Sequence, residues 1–330
     1  MKNLLALLIA AMLAAQASAA SFNWTNGAAD NDFSNTANWD NPPTFGATDD
    51  LYINLAGANK AILAGTLPNN PDEFRVGSTA GSAELLVTGG VHTLGNTFRV
   101  GRGGSDATVE IQGGSVSVPN SYTTFGDGGD GHLIMSGGVL NIDRFTLGQT
   151  SGSNSSIDIS GGTINISLSD ASPSATTGGT LRLGDGNTTV NISGTGVVNM
   201  EALILGTSAG TGLITITGGE LNLTGSTMDA FTSGANPDLP ILQYESLLFG
   251  DLGGTIAMEG GLFTLAGHQI ALINDMISGG YLTHSGVGTS LAPIYNSQTD
   301  VTTVTIIPEP ASLGLMVLAG AACLITRRRS

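Results

Sequence analysis

The sequence is short of cysteine, basic residues and aromatic residues, and these shortages exclude several kinds of protein. The single cysteine, Cys323, cannot form an intramolecular disulfide, which rules out a disulfide framework and a Cys-based zinc site. Acidic residues outnumber basic ones 26 to 10, and residues 20–307 keep 6 basic and 25 acidic residues, a net charge of −19. A chain this acidic lacks the positive surface that binds nucleic acid through its phosphates.

Glycine is abundant in this chain, whereas aromatic and charged residues are rare. The chain has 49 glycines, against 5% aromatic and 11% charged residues. Val, Ile and Leu occur in short runs between the glycines, a pattern typical of many short strands joined by turns. The composition therefore predicts an all-β protein.

One sequence unit recurs along the middle of the chain, and it consists of a strand-like run, a glycine corner and a second run. Copies read ELLVTGGVHTL, VEIQGGSVSV, LIMSGGVLNI and IDISGGTINI. The first glycines of the seven copies are Gly89, Gly113, Gly137, Gly161, Gly194, Gly218 and Gly260. Four of the six spacings are 24 residues, and insertions at 167–180 and 225–253 account for the two longer ones. A second marker between the corners reads FRVG twice, then TTFG, FTLG, LRLG and LILG.

These units predict a solenoid. Apolar residues alternate with other residues in the run before each corner, which gives the run an inner and an outer face. A unit of about 24 residues with three short strands matches one turn of a parallel β-helix, whose turns bury their inner faces by stacking. We therefore predict a right-handed parallel β-helix of about seven or more turns. A β-propeller and an immunoglobulin-like sandwich compete, but a propeller blade needs about 40 residues and a sandwich does not require so regular a spacing.

The repeat divides the chain into five parts. Residues 1–19 have the features of a secretory signal peptide, because Lys2 precedes an apolar core and the small residues Ala17 to Ala19. Cleavage by signal peptidase would leave a chain that begins at Ala20 or Ser21. We predict an N-terminal cap at 20–72, repeats at 73–266, a C-terminal cap and linker at 267–307, and a terminal signal at 308–330.

Both tryptophans, Trp24 and Trp39, precede the repeat. A solenoid needs a cap at its first turn because the open end exposes strand edges. We interpret the tryptophans as cap packing, with an aromatic platform for a sugar ring as the alternative. Residues 22–55 also resemble the opening of large bacterial surface proteins with autotransporter-like β-helical regions.

An asparagine recurs in the run after the corner, between apolar neighbours. The four are Asn141, Asn165, Asn199 and Asn222. Equivalent positions stack in a solenoid, and stacked side-chain amides can hydrogen-bond along the stack. We predict a structural asparagine ladder, with a row of ligand-binding amides as the alternative.

The repeat holds no group of residues that indicates a reaction. The cations within 20–307 are Lys60, Arg75, Arg99, Arg102, Arg144 and Arg182. Three of them, Arg75, Arg99 and Arg182, share one slot of the unit, so we interpret them as surface. A polysaccharide lyase needs clustered carboxylates and a glycosidase needs two flanking a cleft, and neither pattern stands out. We predict no catalytic residues.

One turn, GDGGDGH, brings acidic side chains close together. Asp127 and Asp130 could offer oxygen ligands to calcium, and His132 follows them. The turn lacks the tandem nonapeptide repetition of calcium-binding solenoids. We therefore expect a solvated turn and no cofactor, with calcium as the alternative.

The C-terminal residues carry the most specific motif. Pro308, Glu309 and Pro310 precede an apolar stretch at 311–325, and Arg327, Arg328 and Arg329 follow it. This order resembles the PEP-CTERM sorting signal of Gram-negative bacteria. The resemblance implies recognition by exosortase, a membrane-embedded enzyme, with the Pro-Glu-Pro tripeptide as part of the processing signal. A short transmembrane helix at 311–325, oriented by the arginines on the cytoplasmic side, fits this interpretation.

The resemblance also implies where the protein acts. Proteins with this tail are associated with bacteria that produce exopolysaccharide, so we expect transient anchoring in the inner membrane and final delivery to the cell surface or extracellular matrix. A structural or adhesive role is the leading hypothesis. A polysaccharide-binding or polysaccharide-degrading β-helix is the alternative, with exopolysaccharide as the partner.

Overall fold

The computed structural model describes residues 19–167, 179–205, 210–225, 247–249 and 254–308. Several predicted features therefore lie outside the described residues. They are the signal peptide apart from Ala19, most of both insertions, Glu309 and Pro310 of the sorting motif, the segment at 311–325, and Arg327 to Arg329.

Strands make up 57% of the residues that the structure describes. The first eight are β1 (Ala20–Asn23), β2 (Asp49–Ile53), β3 (Ala61–Leu63), β4 (Glu73–Val76), β5 (Gly81–Val87), β6 (Val91–Thr93), β7 (Phe98–Arg102) and β8 (Ser105–Ile111). Three long strands follow, β9 (Ser115–Asp127), β10 (Asp130–Leu147) and β11 (Asn154–Ile166). The next nine are β12 (Thr180–Leu183), β13 (Asn187–Ile192), β14 (Val197–Met200), β15 (Ala202–Leu205), β16 (Gly212–Ile216), β17 (Glu220–Leu223), β18 (Leu247–Phe249), β19 (Thr255–Met258) and β20 (Leu262–Ala266). The chain then forms α1 (Ile270–Ser278), β21 (Leu282–His284), β22 (Thr289–Asn296) and β23 (Val301–Pro308).

The strands stack in register as three parallel faces. The first face precedes the glycine corners and comprises β3, β5, β8, β13, β16, β19, β21 and the first parts of β10 and β11. The second face follows the corners and comprises β6, β14, β17, β20 and parts of β9, β10 and β11. The third face comprises β1, β2, β4, β7, β12, β15, β18 and the last parts of β9 and β10. This arrangement confirms the predicted all-β class and the parallel β-helix, which has about eight turns.

Equivalent apolar residues of successive turns form continuous buried columns. On the first face the column is Ala61, Leu85, Val109, Leu133, Ile157, Val190, Ile214, Ile256 and Leu282, each at most 1% exposed. Neighbouring rungs are about 4.8 Å apart, so each turn covers the apolar surface of the next. The described core is therefore built from stacked turns without a disulfide.

The third face carries an aromatic column with one interruption. Phe74 and Phe98 pack edge to face with ring centroids 6.1 Å apart, but Thr123 occupies the next rung. Phe125, two residues further along the strand, lies 5.7 Å from Phe98 and 5.1 Å from Phe145. The irregular marker TTFG thus moves the phenylalanine by two positions while the aromatic packing continues.

The glycine corners meet two requirements at once. Gly114, the second glycine of its pair, has a φ of +77°, which favours glycine. A Cβ at this position would lie 2.6 Å from backbone atoms of Gly89 and Gly90 in the preceding turn. The corner therefore needs a residue without a side chain for both its conformation and its close approach.

An aromatic cluster fills the N-terminal end of the solenoid. Trp24 and Trp39 are 3% and 5% exposed, and Phe33 and Phe45 pack with them. The indole N–H of Trp24 donates to the carbonyl of Asn59, and that of Trp39 donates to the carbonyl of Phe33. Both tryptophans are thus buried packing residues, and neither presents a ring face as a platform for sugar.

The C-terminal end of the solenoid is covered by elements that do not follow the repeat. Strand β23 pairs antiparallel with β20 and with β22, and α1 buries Leu272, Ile273 and Met276. An antiparallel hairpin across the last turn satisfies strand edges that would otherwise be open. Among the residues that the structure describes, no helix is long and apolar enough to cross a membrane.

Candidate functional site

The outward residues of the third face form two neighbouring columns. The first column is Tyr52, Arg75, Arg99, Thr124, Thr146, Arg182 and Ile204. The second column, two positions earlier in each strand, includes Tyr122, Arg144, Thr180 and Ala202. The alternation of a strand produces both columns, because buried residues such as Phe145 lie between the outward positions. Arg75, Arg99 and Arg182, which share a slot in the sequence, therefore stand in one column.

A groove of about 560 Å³ lies over these two columns. Its charged and aromatic lining residues are Arg99, Arg144, Arg182, Asp127 and Tyr122. The other lining residues are Thr124, Thr146, Thr180, Gln149 and Ile204. The three threonines are buried, at 4%, 7% and 4% exposure, and form the floor, whereas the arginines are only half-buried. Short side chains at the centre of the face and long ones around them thus create the concave surface.

Arg144 stacks on the ring of Tyr122 in the groove. The guanidinium carbon of Arg144 lies 3.3 Å from the centroid of the Tyr122 ring. The two residues are paired on adjacent rungs, and Tyr122 remains 50% exposed. Stacking of a guanidinium on an aromatic face restricts the orientation of the guanidinium.

Arg99 and Arg182, at the two ends of the groove, have carboxylate neighbours. Arg99 Nε lies 3.3 Å from Glu73 Oε1, and Arg182 lies 3.9 Å from Asp185. The lining carboxylate, Asp127, lies 3.4 Å from Arg102 Nε. The Arg182–Asp185 and Arg102–Asp127 pairs are exposed and contribute about 0–1 kcal/mol each, so an incoming anion can compete for Arg182.

The N-terminal end of the same face holds a pair of buried carboxyl groups. Asp50 and Glu73 are paired on adjacent rungs and are 9% and 4% exposed. Burial, and next the charge of Glu73, raise the pKa of the Asp50 carboxyl, while Arg75 opposes the rise. Glu73 binds Arg75 directly, and this hydrogen bond is the largest cause of the raised pKa of that guanidinium. The pair lies on the two rungs of the third face that precede the rung of Arg99.

The four predicted ladder asparagines stand on consecutive rungs of the second face. Asn165 Nδ2 donates to Asn141 Oδ1 at 2.9 Å, and Asn199 Nδ2 donates to Asn165 Oδ1 at 2.8 Å. Asn222 Nδ2 donates to Asn199 Oδ1 at 2.9 Å. Ser117 and Thr264 extend this chain of hydrogen bonds at its two ends. The amides are half-buried and use their donors along the solenoid axis.

The residues suggested for calcium are each engaged by protein groups. Asp127 pairs with Arg102, and Asp130 Oδ1 accepts from the backbone N–H of Asn154 at 2.6 Å. His132 contacts Asp106 at 3.5 Å. The described ranges contain no group of three or more His, Cys, Asp or Glu side chains that could hold a metal ion. The solvated turn without a cofactor stays a prediction, with calcium as its alternative.

The groove was not recognised in the sequence, although a signal for it exists. Tyr122 and Arg144 each lie one position before the third-face marker, in Y-TTFG and R-FTLG. Aligning the markers places both residues in one outward column beside Arg99 and Arg182. Of the predicted sorting motif, Pro308 is the last residue of β23, and it is paired with Thr289.

No protein-family model, curated protein or solved structure matches this chain. Its own residues and geometry therefore carry the functional proposal.

Proposed function

We propose that this protein is exported and displayed at the cell surface or in the extracellular matrix, where it has a structural or adhesive role. The observation that carries the proposal is the stacking of about eight turns on one continuous core, together with the asparagine ladder outside it. Stacked turns form an extended scaffold whose stability grows with each neighbour interface. Such a scaffold needs no disulfide, and its outer columns repeat along the axis. We further propose that the coil is right-handed, the usual hand of connections between parallel strands.

The terminal segments support the route to the surface. The signal peptide at 1–19 directs export and is removed by signal peptidase. The segment at 311–325 then anchors the chain transiently in the inner membrane, with Arg327 to Arg329 on the cytoplasmic side. Exosortase would recognise Pro308, Glu309 and Pro310 and release the protein toward the outer surface.

Fractionation of host cells with and without exosortase tests this route. We expect a processed chain outside the inner membrane in cells that have the enzyme, and an intact chain retained in that membrane in cells that lack it. An intact chain in the inner membrane of both strains would contradict the sorting proposal.

The groove favours polysaccharide binding as a second candidate function. It combines three arginines, an exposed tyrosine and several hydroxyl groups in one concave surface. Its described lining contains one carboxylate, Asp127, whereas glycoside hydrolysis uses two carboxyl groups on opposite sides of the bond. We therefore propose binding in the groove rather than cleavage. Release of reducing ends or unsaturated sugars from any glycan would contradict that choice.

A further inference from the structure

We infer that the groove on the third face binds a segment of a carboxylated polysaccharide through Arg99, Arg144 and Arg182. This inference rests on the proposed adhesive role and names the class of polymer that the solenoid would hold. The inference is tested by a binding measurement in solution, whereas the surface location is tested in host cells. Either test can therefore fail while the other succeeds.

The distribution of charge singles out this groove. Residues 20–307 contain only six basic residues against 25 acidic ones, and three of the six line the groove. An anionic polymer is repelled by the net charge of the chain but attracted where positive groups line a concave surface. Such focusing selects a site on the third face that begins at Arg99, next to Glu73 of the buried acidic pair, and extends to Arg182.

The spacing of the arginines fits a polymer better than a small anion. Arg99 and Arg182 stand in one column, separated by the rungs of Thr124 and Thr146. Three rung spacings of about 4.8 Å place them about 14 Å apart along the axis. Arg144 lies in the neighbouring column on the rung of Thr146, between them. A single carboxylate reaches one of these positions, whereas a chain with repeated carboxylates reaches all three.

The chemistry of the lining indicates carboxylate and hydroxyl groups on the ligand. A guanidinium binds a carboxylate with two parallel N–H donors, and Arg144 is already oriented by Tyr122. Thr124, Thr146 and Gln149 supply donors and acceptors for sugar hydroxyls. Preorganised side chains lose less conformational entropy on binding, which favours affinity.

The experiment measures binding of the full chain, purified in detergent, to two carboxylated polysaccharides, polygalacturonate and alginate. Methyl-esterified polygalacturonate serves as the uncharged ligand with the same backbone. We expect binding to the two acidic polymers that weakens as salt is raised, and little binding to the ester. Equal binding to the ester, or no binding to either acidic polymer, would overturn the inference without the use of any variant.

Variants then locate the site. Arg144→Gln and Arg182→Gln should each weaken binding to the acidic polymers about tenfold or more, because each removes charged hydrogen bonds. Lys60→Gln makes the same change in net charge away from the groove and should leave binding almost unchanged. Thermal unfolding of each variant checks that it is folded. Equal weakening by Lys60→Gln would overturn the assignment to the groove, as would tighter binding of dextran sulfate or single-stranded DNA than of the carboxylated polymers.

Discussion

The side-chain amide of Asn165 connects its own turn of the solenoid to the turns on both sides. It donates to Asn141 Oδ1 at 2.9 Å and accepts from Asn199 Nδ2 at 2.8 Å. These contacts run along the axis, parallel to the backbone ladder of the faces. Each inner rung of the asparagine ladder thus uses one donor and one acceptor to connect neighbouring turns.

Replacing Asn165 should weaken the stack of turns. Asn165→Ala removes two hydrogen bonds and leaves a donor of Asn199 and an acceptor of Asn141 without this partner, so we expect a loss of about 1–3 kcal/mol in the free energy of unfolding. Urea unfolding followed by circular dichroism measures the loss. Thr215→Ala, at an outward and similarly half-buried position of the first face, is the control and should lose less. Equal losses would mean that the ladder adds nothing to the backbone pairing.

Two glycines with nearly the same φ distinguish the energetic cost of a left-handed backbone conformation from the cost of steric overlap with a Cβ. Gly114 and Gly104 have φ of +77° and +78°. A Cβ on Gly114 would lie 2.6 Å from atoms of Gly89 and Gly90, whereas a Cβ on Gly104 would meet nothing within 4 Å. Alanine at either position costs about 1–2 kcal/mol for the left-handed conformation. Gly114→Ala should cost about 1–3 kcal/mol more because of overpacking. Similar unfolding free energies for the two variants would show that the turns are not tightly stacked at the corner.

Asp50 should make stability depend on pH in the acidic range. Burial raises the pKa of its carboxyl above the ordinary value of 3.8, and Oδ1 has no hydrogen-bond partner in the described part of the chain. The folded state therefore binds this proton more tightly than the unfolded state, and stability declines as the pH rises from 3.8 through the folded-state pKa.

Asp50→Asn should remove this decline. We expect little difference from the wild type below pH 3.8, and a variant about 1–3 kcal/mol more stable at neutral pH, because the buried ionised oxygen is gone. Unfolding free energies measured between about pH 3.5 and 7 test the expectation. A difference that stays constant over this range, or a variant that is less stable at neutral pH, would contradict the assigned cause.

Thr123, which interrupts the aromatic column, is the subject of a further prediction. Thr123 is fully buried, and its hydroxyl has no hydrogen-bond partner among the described residues. Thr123→Val keeps the shape and removes the unpaired hydroxyl, so it should raise the free energy of unfolding by about 1 kcal/mol. Thr123→Phe should lower it by about 1–3 kcal/mol, because Phe125 already fills the aromatic position. The opposite order in thermal unfolding would show that the column is packed differently.

Much of the fold follows from the spacing of residues in the sequence. A corner glycine every 24 residues places equivalent residues on adjacent rungs, so Asn141 and Asn165 meet without any further information. Position relative to the corner was enough for these predictions because the pairing is parallel and in register. The alternation of apolar residues likewise identified the buried columns of the first face.

The groove and the C-terminal end depend on information that the repeat does not carry. The groove depends on the contact between Tyr122 and Arg144, which lie on adjacent rungs. Residue type varies along their column, so the repeat did not mark these positions. The helix at Ile270–Ser278 and the antiparallel pairing of β23 follow the last copy of the unit, where the period no longer guides the prediction. The orientation of long side chains in the groove and the chain reversals at the C-terminal end depend on tertiary contacts rather than on the period of the repeat.

Antibody binding to intact host cells tests the central claim most directly. An antibody against the solenoid should bind cells that express the wild-type chain. Cells that express the variant with Pro308→Ala, Glu309→Ala and Pro310→Ala should retain the chain in the inner membrane and stay unlabelled until they are permeabilised. Equal labelling of both kinds of intact cell, or labelling of neither, would contradict display at the surface through the terminal sorting signal.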